Sequence, residues 1–280
     1  MLCACGRVDF VPLADAPPDA AAPVRCDWSA GPKIGTPVTH PELESGVFEG
    51  DAQLVPGNPL TLHFASTRAG TFDTYRATRP AIGAAFDTLV TVSGLDSATI
   101  DEYGFQLSAS GSAYTIISEG AGARIWEVRR TGDTVERVRR LVELPDATQL
   151  DPYPTADGRT LYFTLDFGGN QDIYSARRNT PDEPWGNVTP FVYNTVLGDG
   201  GLTTTDDELV IAWTREPDIY FATRDDASAP FGPARRLDAI STANELDYEP
   251  SLRGDGCELF FSRFMGPGFD ARLYSVAIDP

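Results

Sequence analysis

The feature that most constrains this chain is a repeat of about fifty residues. Apolar triplets that read as the middle of a β-strand recur five times: Leu62-His63-Phe64, Tyr114-Thr115-Ile116, Leu161-Tyr162-Phe163, Leu209-Val210-Ile211 and Leu259-Phe260-Phe261. Their last members lie 52, 47, 48 and 50 residues apart. Four of them follow a turn-forming pair, Asn58-Pro59, Ser110-Gly111, Asp157-Gly158 or Asp255-Gly256, and the remaining one follows Thr205-Asp206. Shortly after each triplet comes a second strand centred on an aromatic residue, Tyr75, Trp126, Tyr174, Tyr220 or Tyr274. The short or glycine-rich loops between the two (RAGT, EGAGA, FGGNQ) mark a hairpin.

A third element follows in the first four repeats, opening with Phe86, Val135, Trp185 or Phe231. In the fifth the chain stops at Pro280, directly after the Tyr274 strand. A counterpart stands at the other end, where Cys26-Asp27-Trp28-Ser29 and then GPKIGTPVTH resemble the third elements, with Trp28 in the place of Trp185 or Phe231. An array one strand short would leave an unpaired edge, so the N-terminal segment is expected to complete the last module. Inner strands near GFQLSA and EPSLRG bring each repeat to four strands in about 49 residues. The expected fold is all-β: a five-bladed β-propeller of four-stranded blades, closed by the N-terminal strand, forming one domain over residues 26–280.

The four cysteines agree with that closure. Cys26 precedes the borrowed strand and Cys257 begins the second strand of the last blade, so both should lie at one rim of one blade. A disulfide there would close a loop of about 230 residues and contribute about 3–5 kcal/mol on the chain-entropy model; the alternative is two unrelated buried thiols. At the start, Leu2-Cys3-Ala4-Cys5 followed by Gly6 has the pattern of a lipobox, without a charged or long apolar segment before it. Residues 1–25 are therefore expected to be a truncated lipoprotein signal lipidated at Cys5, with LADAPPDAAAP as a flexible tether.

The phrases FASTRAG, DGRTLYF, DIYSARR and DYEPSLRGDG resemble the WD-repeat-like propeller repeats of the TolB type, from about residue 26 to the end. The second repeat departs most, with Ser110-Gly111 for Asp-Gly and Arg124-Ile125-Trp126 for Asp-x-Tyr. The resemblance implies a propeller and a bacterial envelope setting, either periplasm or cell surface. It implies no single activity, because propellers host binders and enzymes alike.

Twenty-two basic against 41 acidic residues give a net charge of −19. Such a surface repels phosphates and anionic headgroups, which sets aside nucleic acid as a partner and leaves the membrane only through a lipid anchor. Aspartates recur near the start of each repeat, Asp51, Asp101, Asp151, Asp199 and Asp247, and should gather at one mouth of the central channel. They read either as a carboxylate ring for a cation, a sugar or acid–base work, or as repeat grammar in which each Asp satisfies backbone amides. Arg68, Arg215 and Arg263 follow the second strands at the same mouth and would bind a carboxylate, pair with the aspartates or be solvated. Arg79, Arg130, Arg178 and Arg224 read as surface charge at strand ends. With only His40 and His63, neither a zinc site nor a Ser-His-Asp triad is supported. No catalytic residue, cofactor or metal is expected. The sequence favours an exported monomeric binding or scaffold propeller that takes a protein segment or glycan at the channel mouth. The alternative is a carbohydrate-active enzyme, a hydrolase or lyase, using the mouth carboxylates.

Overall fold

The computed structural model describes residues 25–120, 122–243, 245–264, 266 and 270–280; the lipobox and Cys5 lie outside them. The order of elements is β1 (Val38–Thr39), β2 (Glu49–Val55), β3 (Asn58–Ser66), β4 (Asp73–Thr78), β5 (Thr88–Thr91), β6 (Glu102–Leu107), β7 (Ala113–Glu119), β8 (Gly122–Thr131), β9 (Thr134–Arg140) and β10 (Thr148–Pro154). Then come β11 (Thr160–Asp166), β12 (Gln171–Arg177), β13 (Gly186–Pro190), β14 (Asp199–Thr204), β15 (Val210–Arg215), β16 (Asp218–Thr223), β17 (Arg235–Arg236), β18 (Leu246–Leu252), β19 (Glu258–Phe264) and β20 (Ala271–Ala277). They form five antiparallel four-stranded sheets: β2–β5, β6–β9, β10–β13, β14–β17, and a fifth in the order β18, β19, β20, β1. This is a five-bladed β-propeller.

The fifth blade takes its outer strand from the N-terminus, as the repeat count requires. Val38 pairs with Ser275 and Thr39 with Tyr274, and an isolated bridge joins Ile34 to Ile278. A two-residue strand is a weak clasp, so other contacts carry the seam. Trp28 is buried and donates its indole N–H to the Gly256 carbonyl at 2.9 Å. Cys26 and Cys257 form the expected disulfide, with Cα atoms 5.1 Å apart. Arg79, after β4, forms two buried contacts of 2.7 and 2.6 Å with the Glu258 carboxylate, tying blade one to blade five.

Apolar strand residues cluster between successive blades, and this face-to-face burial is the main stabilising contribution. Trp28, Phe221, Leu259 and Phe261 fill the space between blades four and five. Leu62, Phe64, Phe86 and Phe260 fill that between five and one. Similar clusters lie around Phe105 and Val128, around Tyr114, Leu161 and Phe163, and around Ile173, Ile211 and Trp213. Each blade is therefore covered on both faces, and the toroid is closed.

One expectation is corrected here. Arg79 and Arg178 are buried rather than surface charge. They and Arg224 lie over the aromatic residue that opens the outer strand, Arg79 on Phe86 at 5.3 Å, Arg178 on Trp185 at 4.1 Å and Arg224 on Phe231 at 4.4 Å. Each also donates through Nε to a carbonyl shortly before its triplet: Pro59, Gly158 or Glu208. Cation–π contact together with a backbone acceptor makes burial of the charge tolerable. Arg130 breaks the pattern because its repeat opens the outer strand with Val135, which has no ring to stack on.

Candidate functional site

The innermost strand of every blade, β2, β6, β10, β14 or β18, carries a register shift at the same place along its length. At that β-bulge sits a residue with positive φ: Asp51 (51°), Gly104 (59°), Asp151 (47°), Gly201 (55°) or Glu249 (53°). A bulge inserts one extra residue and re-aims its side chain, and here it aims carboxylates into the channel. Glycine serves in two blades because the left-handed conformation costs an L side chain about 1–2 kcal/mol. At Gly201 there is also little room, since a Cβ would come within 3.1 Å of the Glu249 Cα.

Asp51, Asp151 and Glu249 each place a carboxylate oxygen within 4.8 Å of the others. Each also reaches the next blade. Glu249 accepts from the Asp51 amide at 2.8 Å and from the Ser262 hydroxyl at 2.9 Å. Asp151 accepts from the Gly201 amide at 3.0 Å, and Asp51 shares hydrogen bonds with the Gly104 amide and Glu249. Burial is the main cause that raises all three carboxyls above their ordinary range. The charge of Glu249 and then of Asp151 pushes Asp51 further, and that of Asp151 pushes Glu249. The set can share protons, and its oxygens are close enough together to serve as ligands to one cation.

Two residues before the bulge runs a second row of polar residues: Glu49, Glu102, Gln149, Asp199 and Asp247, all buried. Their task is to hold the incoming loop and the neighbouring strand. Asp199 accepts from Thr195 N and Oγ1, Trp213 Nε1 and Arg215 Nε. Asp247 is gripped by Arg263 Nε and Nη2 at 2.6 and 3.0 Å. Glu49 accepts from Ser45 N, Ser66 Oγ and Arg68 Nη2.

The five aspartates picked out by spacing therefore do not form one ring. Asp51 and Asp151 belong to the channel row; Asp199 and Asp247 belong to the row that Arg215 and Arg263 neutralise. Asp101 precedes Glu102 and accepts from the Phe72 amide at 3.1 Å. Arg68, Arg215 and Arg263 pair with carboxylates, and each lies over a tyrosine: Tyr75, Tyr220 or Tyr274. Glu249 and the two bulge glycines escaped the sequence reading. One signal was present, because aligning Asp151-Pro152 with Glu249-Pro250 places the two carboxylates at the same position.

Above the channel row, on the side where the inner strands begin, opens a cup of about 320 Å³ with Asp51, Asp151 and Glu249 at its base. One wall is an unbroken series of rings. Tyr103 and Phe72 are 5.2 Å apart, Phe72 and Phe48 5.0 Å, Phe48 and Phe264 6.0 Å, and Phe264 and Tyr248 5.4 Å between centroids. Gly50 lets this wall close over the floor, because a Cβ there would strike the Phe48 ring at 2.4 Å. The wall spans blades five, one and two; Leu150, Gln171 and Thr214 face it from blades three and four.

No family model matches the chain, and no curated protein matches it. Solved structures do. An α-L-arabinofuranosidase from Lactobacillus brevis superposes with a TM-score of 0.57 at 11% identity, covering 86% of this chain and 94% of that one. A protein assigned as TolB from Agrobacterium tumefaciens gives 0.50 at 14% identity, covering 86% of each. TolB from Acinetobacter baumannii gives 0.46 at 15% identity, covering 89% of this chain, which spans 55% of that protein. At these identities the likeness is one of fold: binders and enzymes alike are built on it.

Proposed function

We propose that this protein is an exported, non-catalytic binding propeller that holds its ligand in the aromatic cup over the channel carboxylates. The observation that carries this is how the three carboxylates are held: Asp51, Asp151 and Glu249 each serve as acceptor for an amide of the next blade, a use that fixes them in place beneath the aromatic wall. The cup's ligand is a protein segment or a glycan. Export is supported by the disulfide, which persists in oxidising compartments, and by the TolB proteins among those of like fold. Anchoring through a lipid on Cys5 fits the same setting, with the propeller itself a monomer.

A second reading, a carbohydrate-active enzyme, draws on the ring wall beside carboxylates within 4.8 Å of one another. Retaining glycosidases hold their pair at about 5–5.5 Å. Incubation with a panel of aryl glycosides and polysaccharides separates the two. Binding without turnover is expected; hydrolysis that disappears in Asp151→Asn would replace the first reading by the second.

A further inference from the structure

The cup combines two kinds of wall that ask for the same ligand chemistry. Five rings present their faces and edges around one side, and an aromatic face attracts a cation through its quadrupole. The floor is acidic, and no Lys or Arg is among the described residues that line the cavity. Its volume, about 320 Å³, stands at the small end of ligand sites, which run from about 300 to 1,000 Å³. That is room for one side-chain-sized group rather than an extended polymer. A hydrated metal ion would gain nothing from the rings, whereas an ammonium on an alkyl stem uses both walls. The stem lies along the rings while the charged head meets oxygen.

We propose that the cup is a subsite for an alkylammonium group, held between the Phe48–Phe264–Tyr248 wall and the Asp51, Asp151 and Glu249 oxygens. The proposal deepens the binding function, since it rests on the cup being where the ligand sits. The surroundings say what carries the ammonium. Phe167, in the β11–β12 turn, and Val192, Val196 and Leu197, in the β13–β14 connection, are exposed. Both loops lie on the rim where the inner strands begin, so exposed apolar side chains stand on the same face of the propeller as the cup, over blades three and four. Such a rim suits a polypeptide, and the chain's net charge of −19 favours a basic one. The carrier is accordingly a lysine side chain of a protein segment.

The test is calorimetric titration of the full chain with four probes: n-butylammonium, its neutral counterpart n-butanol, the capped peptide Ala-Leu-Lys-Leu-Ala, and the same peptide with Nε-acetyllysine. The two ammonium probes should bind at least tenfold more tightly than their neutral partners. The lysine peptide should also exceed n-butylammonium, which assigns the ammonium to a protein segment; equal affinities would reassign it to a free amine. Glu249→Gln and Phe264→Leu should each weaken n-butylammonium at least tenfold, the second without touching any charge. Equal binding of charged and neutral probes, or none by any of them, overturns the proposal. So does calcium chloride displacing the amine while Phe264→Leu has no effect, which would mark a metal site. If glucosamine-free oligosaccharides bind the cup while all amines fail, the ammonium subsite falls and the binding function stands.

Discussion

Two rows of acidic side chains run around the inner strands, two residues apart, and the propeller treats them oppositely. In the outer row Glu49, Asp199 and Asp247 meet Arg68, Arg215 and Arg263. In the channel row Asp51, Asp151 and Glu249 meet backbone amides, hydroxyls and one another, with no basic side chain among the described residues in hydrogen-bonding contact. Burial alone does not distinguish them, since it pushes up even Asp247, against the pull of Arg263. What differs is the partner, which is a guanidinium in one row and amides, hydroxyls and neighbouring carboxyls in the other. A buried charge paired with arginine is architectural, because nothing can replace its partner. A buried carboxylate held by amides and hydroxyls can still take a cationic ligand.

The largest effect should come from unpairing the architectural row. Arg263→Ala leaves Asp247 buried without its partner, and breaking such a pair costs about 3–5 kcal/mol. A lowered urea midpoint would register it, and a shift as small as that of a surface substitution would erase the contrast between the rows. The seam provides a control. Cys26→Ser with Cys257→Ser should cost about 2–5 kcal/mol, yet leave the dependence of stability on pH unchanged. A changed slope would mean that the channel row reports ring opening instead of its own titration.

Next in size is Gly201→Ala, about 1–2 kcal/mol from the left-handed backbone, read from the same denaturation midpoints. A neutral result would show that the bulge geometry is not enforced. Smallest in stability is Asp151→Asn, within about 1 kcal/mol at neutral pH, because an amide oxygen still accepts from Gly201. Its consequence should appear in the pH profile. The three channel carboxyls are raised in the fold above their unfolded values of about 3.9 for Asp and 4.3 for Glu. The folded state therefore binds more protons, so their contribution is complete below about pH 4 and is lost as pH rises through the folded values. Thermal midpoints should consequently fall as pH rises above 4, against the usual gain from paired carboxylates, and Asp151→Asn should flatten that fall. A profile unaltered by the substitution would remove the proton-sharing account.

How much of this was legible in the sequence differs between fold and site. Five triplets at near-constant spacing, and a Trp28 element displaced to the head of the chain, led to the toroid, its seam and the Cys26–Cys257 bridge without coordinates. Those inferences depend on which residues pair along strands, and strand pairing leaves a period that survives in one dimension. The carboxylates were legible as a population but not as two rows. Asp199 and Asp247 fall on nearly the same spacing as Asp51 and Asp151, yet a bulge two residues downstream gives Gly201 and Glu249 the channel.

Composition and repeat length by themselves determined an all-β ring with an acidic surface, because apolar periodicity dictates which faces must be covered. Only the tertiary structure decided which acids meet arginine and which meet each other, and only it raised five rings from blades five, one and two into a single wall. The reason is physical: one inserted residue per inner strand reverses the direction of a side chain at almost no cost in sequence spacing, and contacts between blades join residues some two hundred positions apart, as in Glu249 and the Asp51 amide.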